Sequence, residues 1–172
     1  MAAPPETVWP LLLDLERVAP CMPGAEVAER VDESTYKVSV TLALGALKLV
    51  YRGEVAIAEA DEEGRRTVIE AKAAEARGQG TARATIKTTL TAEDGGTRAA
   101  VVTDLQLTGR VARMGPGIVE DVSKRLLGEF AACLSQKAAA EASTPPERTR
   151  PVGGLRLIAR LVGARLRRLF RG

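Results

Sequence analysis

Hydrophobic and polar residues alternate with a period of two through most of the segment 26–108. The stretches TYKVSVTLAL (35–44) and LKLVYRGEVAI (47–57) place their large apolar side chains on one face and polar side chains on the other. This period is that of β-strands with one buried and one solvated face. Turn residues at 61–64, 78–80 and 94–96 separate the later strands. The pattern predicts an antiparallel meander of hairpin-linked strands, preceded by a short strand near 25–31.

Helical segments flank the predicted sheet on both sides. The first, PPETVWPLLLDL, opens with prolines and an acidic residue and then places Val8, Leu11, Leu12 and Leu15 at helical spacing. The second can begin at Pro116, and its apolar stripe consists of Ile118, Val119, Val122, Leu126, Phe130 and Cys133. Short helix, sheet and long helix make an α+β order in which the long helix covers the concave face of the sheet.

The expected inner face of the sheet carries many small residues, namely Ala71, Ala73, Ala82, Ala84 and Ala99. Aromatic residues make up only 3% of the chain, so few large rings are available to fill the interior. We therefore predict an apolar cavity of ordinary size, roughly 300–1,000 Å³; the alternative is a tight, alanine-rich core. The residues predicted to line this cavity are Leu12, Tyr36, Val40, Leu49, Tyr51, Ile86, Val101, Leu105, Val122 and Leu126.

The chain contains no histidine, which removes histidine-based nucleophile pairs and the usual zinc ligand sets. Its two cysteines, Cys21 and Cys133, have no metal-ligand spacing, and we predict separate, inert thiols and no metal site. We therefore predict a protein without catalytic residues. The alternative is an enzyme, whose candidate residues would be Tyr36, Tyr51, Arg52 and Asp104.

Residues 155–171 form an amphipathic pattern at 100° per residue, with an apolar stripe and six arginines. Arginine interrupts the segment too often for a membrane span, so the pattern predicts a helix that lies on an anionic membrane surface. The residues predicted to bind the membrane are Leu155, Arg156, Ile158, Arg160, Leu161, Val162, Arg165, Leu166, Arg167, Arg168, Leu169, Phe170 and Arg171.

Composition divides the chain into a predicted domain at 1–140, a Pro/Gly-rich linker at 141–154 and the basic helix at 155–171. Residues 1–147 carry 17 basic and 22 acidic side chains, whereas residues 148–172 carry eight arginines and no acid. A basic patch spread over the fold is absent, so nucleic acid is not an expected partner. The basic helix could instead dock on its own domain, or bind a protein groove or nucleic acid. The start, MAAPPETVW, has no signal-peptide pattern, and we predict a cytoplasmic protein, peripheral on the inner face of the cell membrane.

Four stretches between residues 4 and 134 resemble a known family: PPETVWPLLLDLERVAPCMPGAE, YRGEV, ARGQGTARATIKTTL and LTGRVARMGPGIVEDVSKRLLGEFAACL. They resemble the START-like (SRPBCC) superfamily, which has a helix-grip fold, and within it the CoxG family of carbon monoxide dehydrogenase proteins. The resemblance implies an accessory protein of a molybdenum hydroxylase of the carbon monoxide dehydrogenase type. It also implies a lipophilic ligand such as a quinone and no covalently bound cofactor. Cyclases and hydratases of the same superfamily provide the enzymatic alternative.

Members of this family begin with a β-strand before the first helix, but only residues 1–4 precede the first helix in this sequence. The resemblance therefore predicts a helix-grip sheet that lacks the family's first strand. Neighbouring strands would then present unpaired backbone groups, unless another segment pairs with them.

Overall fold

The computed structural model describes residues 1–45 and 47–143. Helices α1 (Pro5–Leu13) and α2 (Leu15–Val18) precede a 3₁₀ helix at Ala19–Cys21. The strands are β1 (Ala25–Arg30), β2 (Thr35–Leu44), β3 (Leu47–Asp61), β4 (Arg66–Glu75), β5 (Thr81–Glu93) and β6 (Gly96–Leu107). A second 3₁₀ helix at Ala112–Met114 leads into α3 (Pro116–Ser143). The predicted α+β order, with a long C-terminal helix, is confirmed.

Helix α3 extends through residues 141–143, which the sequence analysis assigned to the linker. The first proline after α3 is Pro145, and no helix-breaking residue stands at 141–143, so the helix can continue past the predicted boundary. The rest of the predicted linker and the whole predicted membrane-binding helix fall within 144–172, outside the described residues.

The six strands form one antiparallel sheet in the order β1-β2-β3-β4-β5-β6. Glu93 pairs with Gly96, so Asp94 and Gly95 form a two-residue turn. Both turn residues have positive φ, 37° and 81°, as the turns favoured between twisted antiparallel strands require. The chain thus forms the meander that its alternating pattern predicted.

The register aligns the predicted inner-face residues across the sheet. Tyr36 pairs with Val55, Val55 with Ala71, Ala71 with Ala84, and Ala84 with Leu105. Directly paired residues of an antiparallel sheet point to the same face, so this row confirms the face that the sequence pattern indicated.

The middle of the inner face is made of small residues, as predicted. In the next row, Gly53 pairs with Ala73, and Ala73 pairs with Ala82. A side chain at Gly53 would collide with the backbone of Lys72 and Ala73, which shows how closely the curved strands approach there. The sheet therefore offers a smooth, shallow floor beneath α3.

The larger hydrophobic cluster lies at the end of the sheet covered by α1 and α2. Leu11 and Val8 of α1 are completely buried in it, together with Tyr36 and with Leu134 and Ala138 of α3. Leu134 and Ala138 are the buried residues of α3, and both lie in its C-terminal third. This cluster therefore anchors the C-terminal part of α3 and leaves its first half without a buried residue.

A disulfide joins Cys21 of the first 3₁₀ helix to Cys133 of α3. The prediction of two separate thiols was wrong. The two cysteines are 112 residues apart in sequence, and the fold brings their Cα atoms to 5.3 Å by packing the first 3₁₀ helix against α3. The disulfide fixes α3 to the N-terminal helices beside the contacts of Leu134.

Reducing this disulfide is expected to destabilise the fold. A cross-link that closes a loop this long restricts the unfolded chain, and its loss typically costs about 2–5 kcal/mol of the free energy of unfolding. Urea unfolding with and without dithiothreitol measures this change. The Cys21→Ser/Cys133→Ser variant is the control, because its unfolding curve should not respond to the reductant. Superimposable curves for the native chain under the two conditions would contradict the expectation.

Candidate ligand-binding cleft

An open cleft of about 550 Å³ lies between strand β6 and the first half of α3. Its walls are Thr103, Leu105 and Leu107 of β6, Ala112 of the second 3₁₀ helix, and Gly115, Pro116, Val119, Glu120 and Ser123 at the start of α3. The volume is within the range of small-molecule sites.

The cleft is open because α3 is held mainly near its two ends. The disulfide and the α1 cluster hold its C-terminal part, and the second 3₁₀ helix contacts its start. Between these supports, the stripe residues Val119, Val122, Leu126 and Phe130 are only half-buried. This half-buried apolar face of α3 therefore leaves space beside β6 for a small molecule.

A second hydrophobic cluster packs against the two walls of the cleft. Leu49, Tyr51 and Val111 are buried in it. Leu107 and Val119 belong both to this cluster and to the cleft walls. The cluster therefore holds the two opposing walls at a set separation.

The polar groups of the cleft are Thr103, Glu120 and Ser123. The carboxylate of Glu120 forms an ion pair with Lys124 at 2.7 Å, one helical turn further along α3. A few polar groups beside apolar walls are typical of sites that bind an apolar body and orient one polar end.

Close to the second cluster, Tyr51 pairs across the sheet with Glu75. Both residues are buried, at 5% and 4% exposure. The carboxylate of Glu75 accepts hydrogen bonds from the backbone N–H groups of Arg77 at 2.7 Å and Gln79 at 3.3 Å. Glu75 therefore fixes the turn between β4 and β5.

The surroundings shift the pKa values of both Glu75 and Tyr51. Burial alone would raise the pKa of Glu75, but backbone hydrogen bonds from Arg77, Gln79 and Val50, together with the charge of Arg77, outweigh it and hold the pKa below its ordinary value of 4.5. Burial raises the pKa of the Tyr51 phenol, and the carboxylate of Glu75 raises it further. The pair therefore carries one negative charge at neutral pH.

The lowered pKa of Glu75 predicts a pH-dependent contribution to stability. A carboxyl with a lower pKa in the folded state stabilises the fold above its unfolded pKa, and this stabilisation disappears as the pH falls through the folded pKa. Glu75→Gln should therefore lower the midpoint of urea unfolding at pH 7, and the deficit should shrink near pH 3. Glu70→Gln, on an exposed residue of the same strand, is the control. A deficit that stays constant across this pH range would contradict the assignment.

The ten residues predicted to line the cavity are distributed over four environments. Leu12, Tyr36 and Ile86 belong to the larger cluster, and Leu49 and Tyr51 to the second cluster. Leu105 lines the cleft. Val40, Val122 and Leu126 are half-buried, and Val101 is 36% exposed on β6. The structure thus brings Leu105 to the cleft and places Leu49 and Tyr51 in the cluster that supports it.

Sequence reasoning missed other parts of the cleft, including Leu107, Val119, Ala112 and Pro116. The segment GRVARMG, at 109–115, was the available signal, because it links the last strand to the long helix and must pass one end of the sheet. Sequence reasoning also missed Glu75 as a buried residue beside Tyr51. The available signal was an acidic residue at a position of β4 whose side chain points to the inner face.

The four candidate catalytic residues do not converge. Tyr36 and Tyr51 are buried in different clusters. Arg52 and Asp104 are exposed. Asp104 pairs with Thr85 across the sheet, and Arg52 pairs with Ser39. Neither pair belongs to the rows of residues on the inner face. Both Asp104 and Arg52 therefore lie on the opposite face of the sheet from the two tyrosines.

Within residues 1–45 and 47–143, no group of three or more potential metal ligands is assembled. In the same part of the chain, no helix combines the length and apolar character needed to cross a membrane.

A six-stranded antiparallel sheet and a long C-terminal helix, with a cleft between β6 and α3, define a helix-grip domain of the START-like class. The family model of the carbon monoxide dehydrogenase G subunit (CoxG) matches residues 1–139. The chain belongs to this family, as the sequence resemblance predicted.

Solved structures with the same fold include a conserved protein from Geobacillus kaustophilus, with a TM-score of 0.73 and 21% identity over 80% of this chain and 90% of that one. A protein from Thermus thermophilus has a TM-score of 0.54 and 22% identity over 83% and 94%. The Zhui aromatase/cyclase from Streptomyces has a TM-score of 0.55 and 15% identity over 88% and 92%. These similarities establish the fold. No curated protein matches the sequence.

Proposed function

We propose that this protein binds a lipophilic molecule in the cleft between β6 and α3 and presents it at a membrane surface. The observation that carries the proposal is the cleft itself, with a volume of about 550 Å³ and apolar walls that include Leu105, Leu107 and Val119. Apolar surface that remains open to water in the free protein favours an apolar occupant.

A quinone fits the chemistry of this cleft. Its isoprenoid tail would contact Leu105, Leu107 and Val119. The hydroxyl groups of Thr103 and Ser123 could donate hydrogen bonds to ring carbonyls, which are acceptors. The ionised carboxylate of Glu120 can only accept, so it disfavours an anionic head group beside it.

The membrane part of the proposal depends on residues 155–171. Their amphipathic pattern and six arginines support binding to an anionic surface. Membership of the CoxG family supports a role as an accessory protein of a molybdenum hydroxylase of the carbon monoxide dehydrogenase type. In this proposal the ligand is held reversibly, and no cofactor is covalently bound.

Ligand binding is better supported than catalysis. Of the four candidate catalytic residues, Tyr36 and Tyr51 lie in different clusters, and Arg52 and Asp104 lie on the opposite face of the sheet. An active site needs such groups within hydrogen-bonding reach of one substrate.

The sequence-based location, the inner face of the cell membrane, can be tested through the disulfide. Disulfides are rare in a reducing cytosol. Trapping thiols in intact cells before lysis would show whether Cys21 and Cys133 are free or bonded there. Complete labelling of both thiols would support the cytoplasmic location, and a lack of labelling would place the protein in an oxidising compartment.

Extraction of the purified full-length chain with organic solvent, followed by mass spectrometry, tests the proposal. We expect a lipophilic compound in near-stoichiometric amount. Quinones should be enriched over phospholipids relative to a whole-membrane extract. Extracts that match a lipid-free control protein would contradict ligand binding.

A further inference from the structure

The connections between the strands lie at the two ends of the sheet. Successive turns of an antiparallel meander alternate between these ends, so the β2–β3 turn, the β4–β5 turn and the segment from β6 to α3 share one end. The structure shows that they meet there. The N–H of Arg110 donates to the backbone carbonyl of Gln79 at 3.0 Å, and Val111 packs with Leu44 and Leu47. These three connections therefore form one continuous surface.

This surface carries positive charge only. It comprises residues 44–48, 76–80 and 108–118, and we call it the basic end. Its sequence contains no aspartate or glutamate. Its charged residues are all exposed, and they are Lys48, Arg77, Arg110 and Arg113. Cations gathered on one surface create a positive potential, and no acidic neighbour on this surface reduces it.

The opposite end of the sheet is acidic. Its turns at 31–34, 61–65 and 93–96 contain seven acidic residues and one arginine, Arg65. Arg65 forms an ion pair with Glu6 of α1 at 3.2 Å. Within residues 1–45 and 47–143, the cations of the ion pairs all lie outside the basic end, and they are Arg17, Lys37, Arg65, Arg66, Arg98, Lys124 and Arg125. The positive charge of the basic end is therefore not neutralised within the described domain.

The rest of the chain does not supply a counter-charge. Residues 148–172 contain eight arginines and no acid, so the basic end repels them. Met1 pairs with Thr97 beside the β5–β6 turn, at the acidic end. The C-terminal part of α3 packs on α1, and the ion pair of Glu6 places α1 at the acidic end as well. The charge of the basic end therefore fits an anionic surface outside this chain.

Apolar groups lie among these cations. Ile118, in the first turn of α3, is 46% exposed, and Met114 is half-buried. The cleft reaches the same segment, since Ala112 and Pro116 form part of its wall. A bilayer with anionic head groups matches both features, because phosphates pair with guanidinium groups and an apolar side chain enters the layer between them. A charged protein face would match the arginines but has no acyl layer to receive Ile118.

We propose that the basic end contacts an anionic lipid surface and turns the cleft toward the bilayer. Arg77, Arg110 and Arg113 pair with lipid phosphates, and Ile118 enters the head-group layer. The inference rests on the proposed function for its ligand, but this contact is separate from the one proposed for residues 155–171. It gives a lipophilic ligand a path between bilayer and cleft that avoids bulk water.

The two membrane contacts can form together. Helix α3 has 28 residues and is therefore about 42 Å long. Residues 144–154 span at most about 40 Å when fully extended. Residues 155–171 and the basic end can therefore reach one surface when α3 lies oblique to it.

Fluorescence quenching on vesicles tests this orientation. Ile118→Cys and Glu33→Cys variants of the full-length chain would each be labelled with an NBD fluorophore, without reductant, so that the native disulfide stays closed. Glu33 is exposed in a turn of the acidic end. Nitroxide-labelled lipids in vesicles of phosphatidylglycerol and phosphatidylcholine quench a fluorophore that lies near them. We expect roughly threefold or more quenching at position 118 relative to position 33. Equal quenching at the two positions, or quenching at position 33 alone, would overturn the proposal.

Charge-neutral variants test whether the arginines of the basic end form the contact. The test variant, made in the labelled Ile118→Cys chain, combines Arg77→Gln, Arg110→Gln and Arg113→Gln. Its quenching at position 118 should fall by more than half. The matched control removes the same charge from exposed residues on the outer face of the sheet, and it combines Lys72→Gln, Arg83→Gln and Lys87→Gln. The control should keep the native level of quenching, and an equal loss in both variants would overturn the assignment to the basic end.

Flotation and ligand extraction on the same preparations distinguish a failure of this inference from a failure of the proposed function. A chain that floats and contains a lipophilic compound, but remains unquenched at position 118, would overturn the inference alone. An acidic protein surface would then be the alternative partner of the arginines. Quenching at position 118 in a chain without extractable ligand would support the membrane contact and contradict the proposed function.

Discussion

Replacing Val119 by tryptophan is expected to abolish ligand retention and to leave the domain folded. Val119 lines the cleft and also packs on the second cluster. The indole ring would occupy the space between α3 and β6 that the ligand needs. Overpacking costs about 1–3 kcal/mol in a filled core, and less where the ring enters open space. We expect at least a tenfold fall in extracted ligand per mole of protein, measured by mass spectrometry, with little change in urea unfolding.

Leu127→Trp is the matched control for this variant. Leu127 lies on the same helix, is 47% exposed and is not part of the cleft wall. It should retain the ligand at the native level. If Val119→Trp kept its ligand while remaining folded, the cleft would not be the binding site.

The second large effect is expected on membrane binding by residues 155–171. Ile158→Asp with Leu166→Asp places two carboxylates in the apolar stripe of residues 155–171. Burying a large aliphatic side chain is worth about 1.5–3 kcal/mol, so losing two should weaken membrane binding more than a hundredfold. Flotation with vesicles of phosphatidylglycerol and phosphatidylcholine measures this binding.

A charge-matched control separates the apolar and electrostatic contributions. Leu157→Asp with Ala164→Asp changes the charge equally, but on the arginine-rich side of the same segment. At 0.5 M salt, where exposed charges are strongly screened, it should bind nearly as well as the native chain. A nucleic-acid-binding tail would instead lose affinity steeply with salt and depend little on Ile158 or Leu166. Equal flotation of the Ile158→Asp/Leu166→Asp variant and the native chain would exclude the stripe as the anchor.

The sheet could be predicted because its signals are local. Alternation identifies the inner face, as the row from Tyr36 to Leu105 confirms, and the turn residues mark the hairpins. Helix α3 was also identified by its stripe. The partner of Arg125 could not be predicted in this way: both Asp121 and Glu129 lie four residues from it, and the structure pairs it with Glu129. Two carboxylates lie one turn from Arg125 in opposite directions, and periodicity cannot rank them.

The cleft and the disulfide could not be predicted because both depend on how distant segments meet. The pairing of Cys21 with Cys133 follows from the packing of the first 3₁₀ helix on α3. Val101 follows the inner-face pattern, yet it is exposed because β6 is the last strand of the sheet. Alternation shows which face a residue occupies, but not whether a neighbouring element covers it.

Photoaffinity labelling of the full-length chain tests the central claim most directly, because it locates the ligand. A benzophenone-labelled fatty alcohol, which has no charged head group, would be bound, irradiated and mapped by tryptic digestion. The account predicts that label concentrates in peptides 99–110 and 114–124, which contain the β6 and α3 walls of the cleft. Unlabelled quinone should displace it, and Val119→Trp should lose it. Label spread over the outer face of the sheet, or confined to residues after 143, would contradict a ligand site in the cleft.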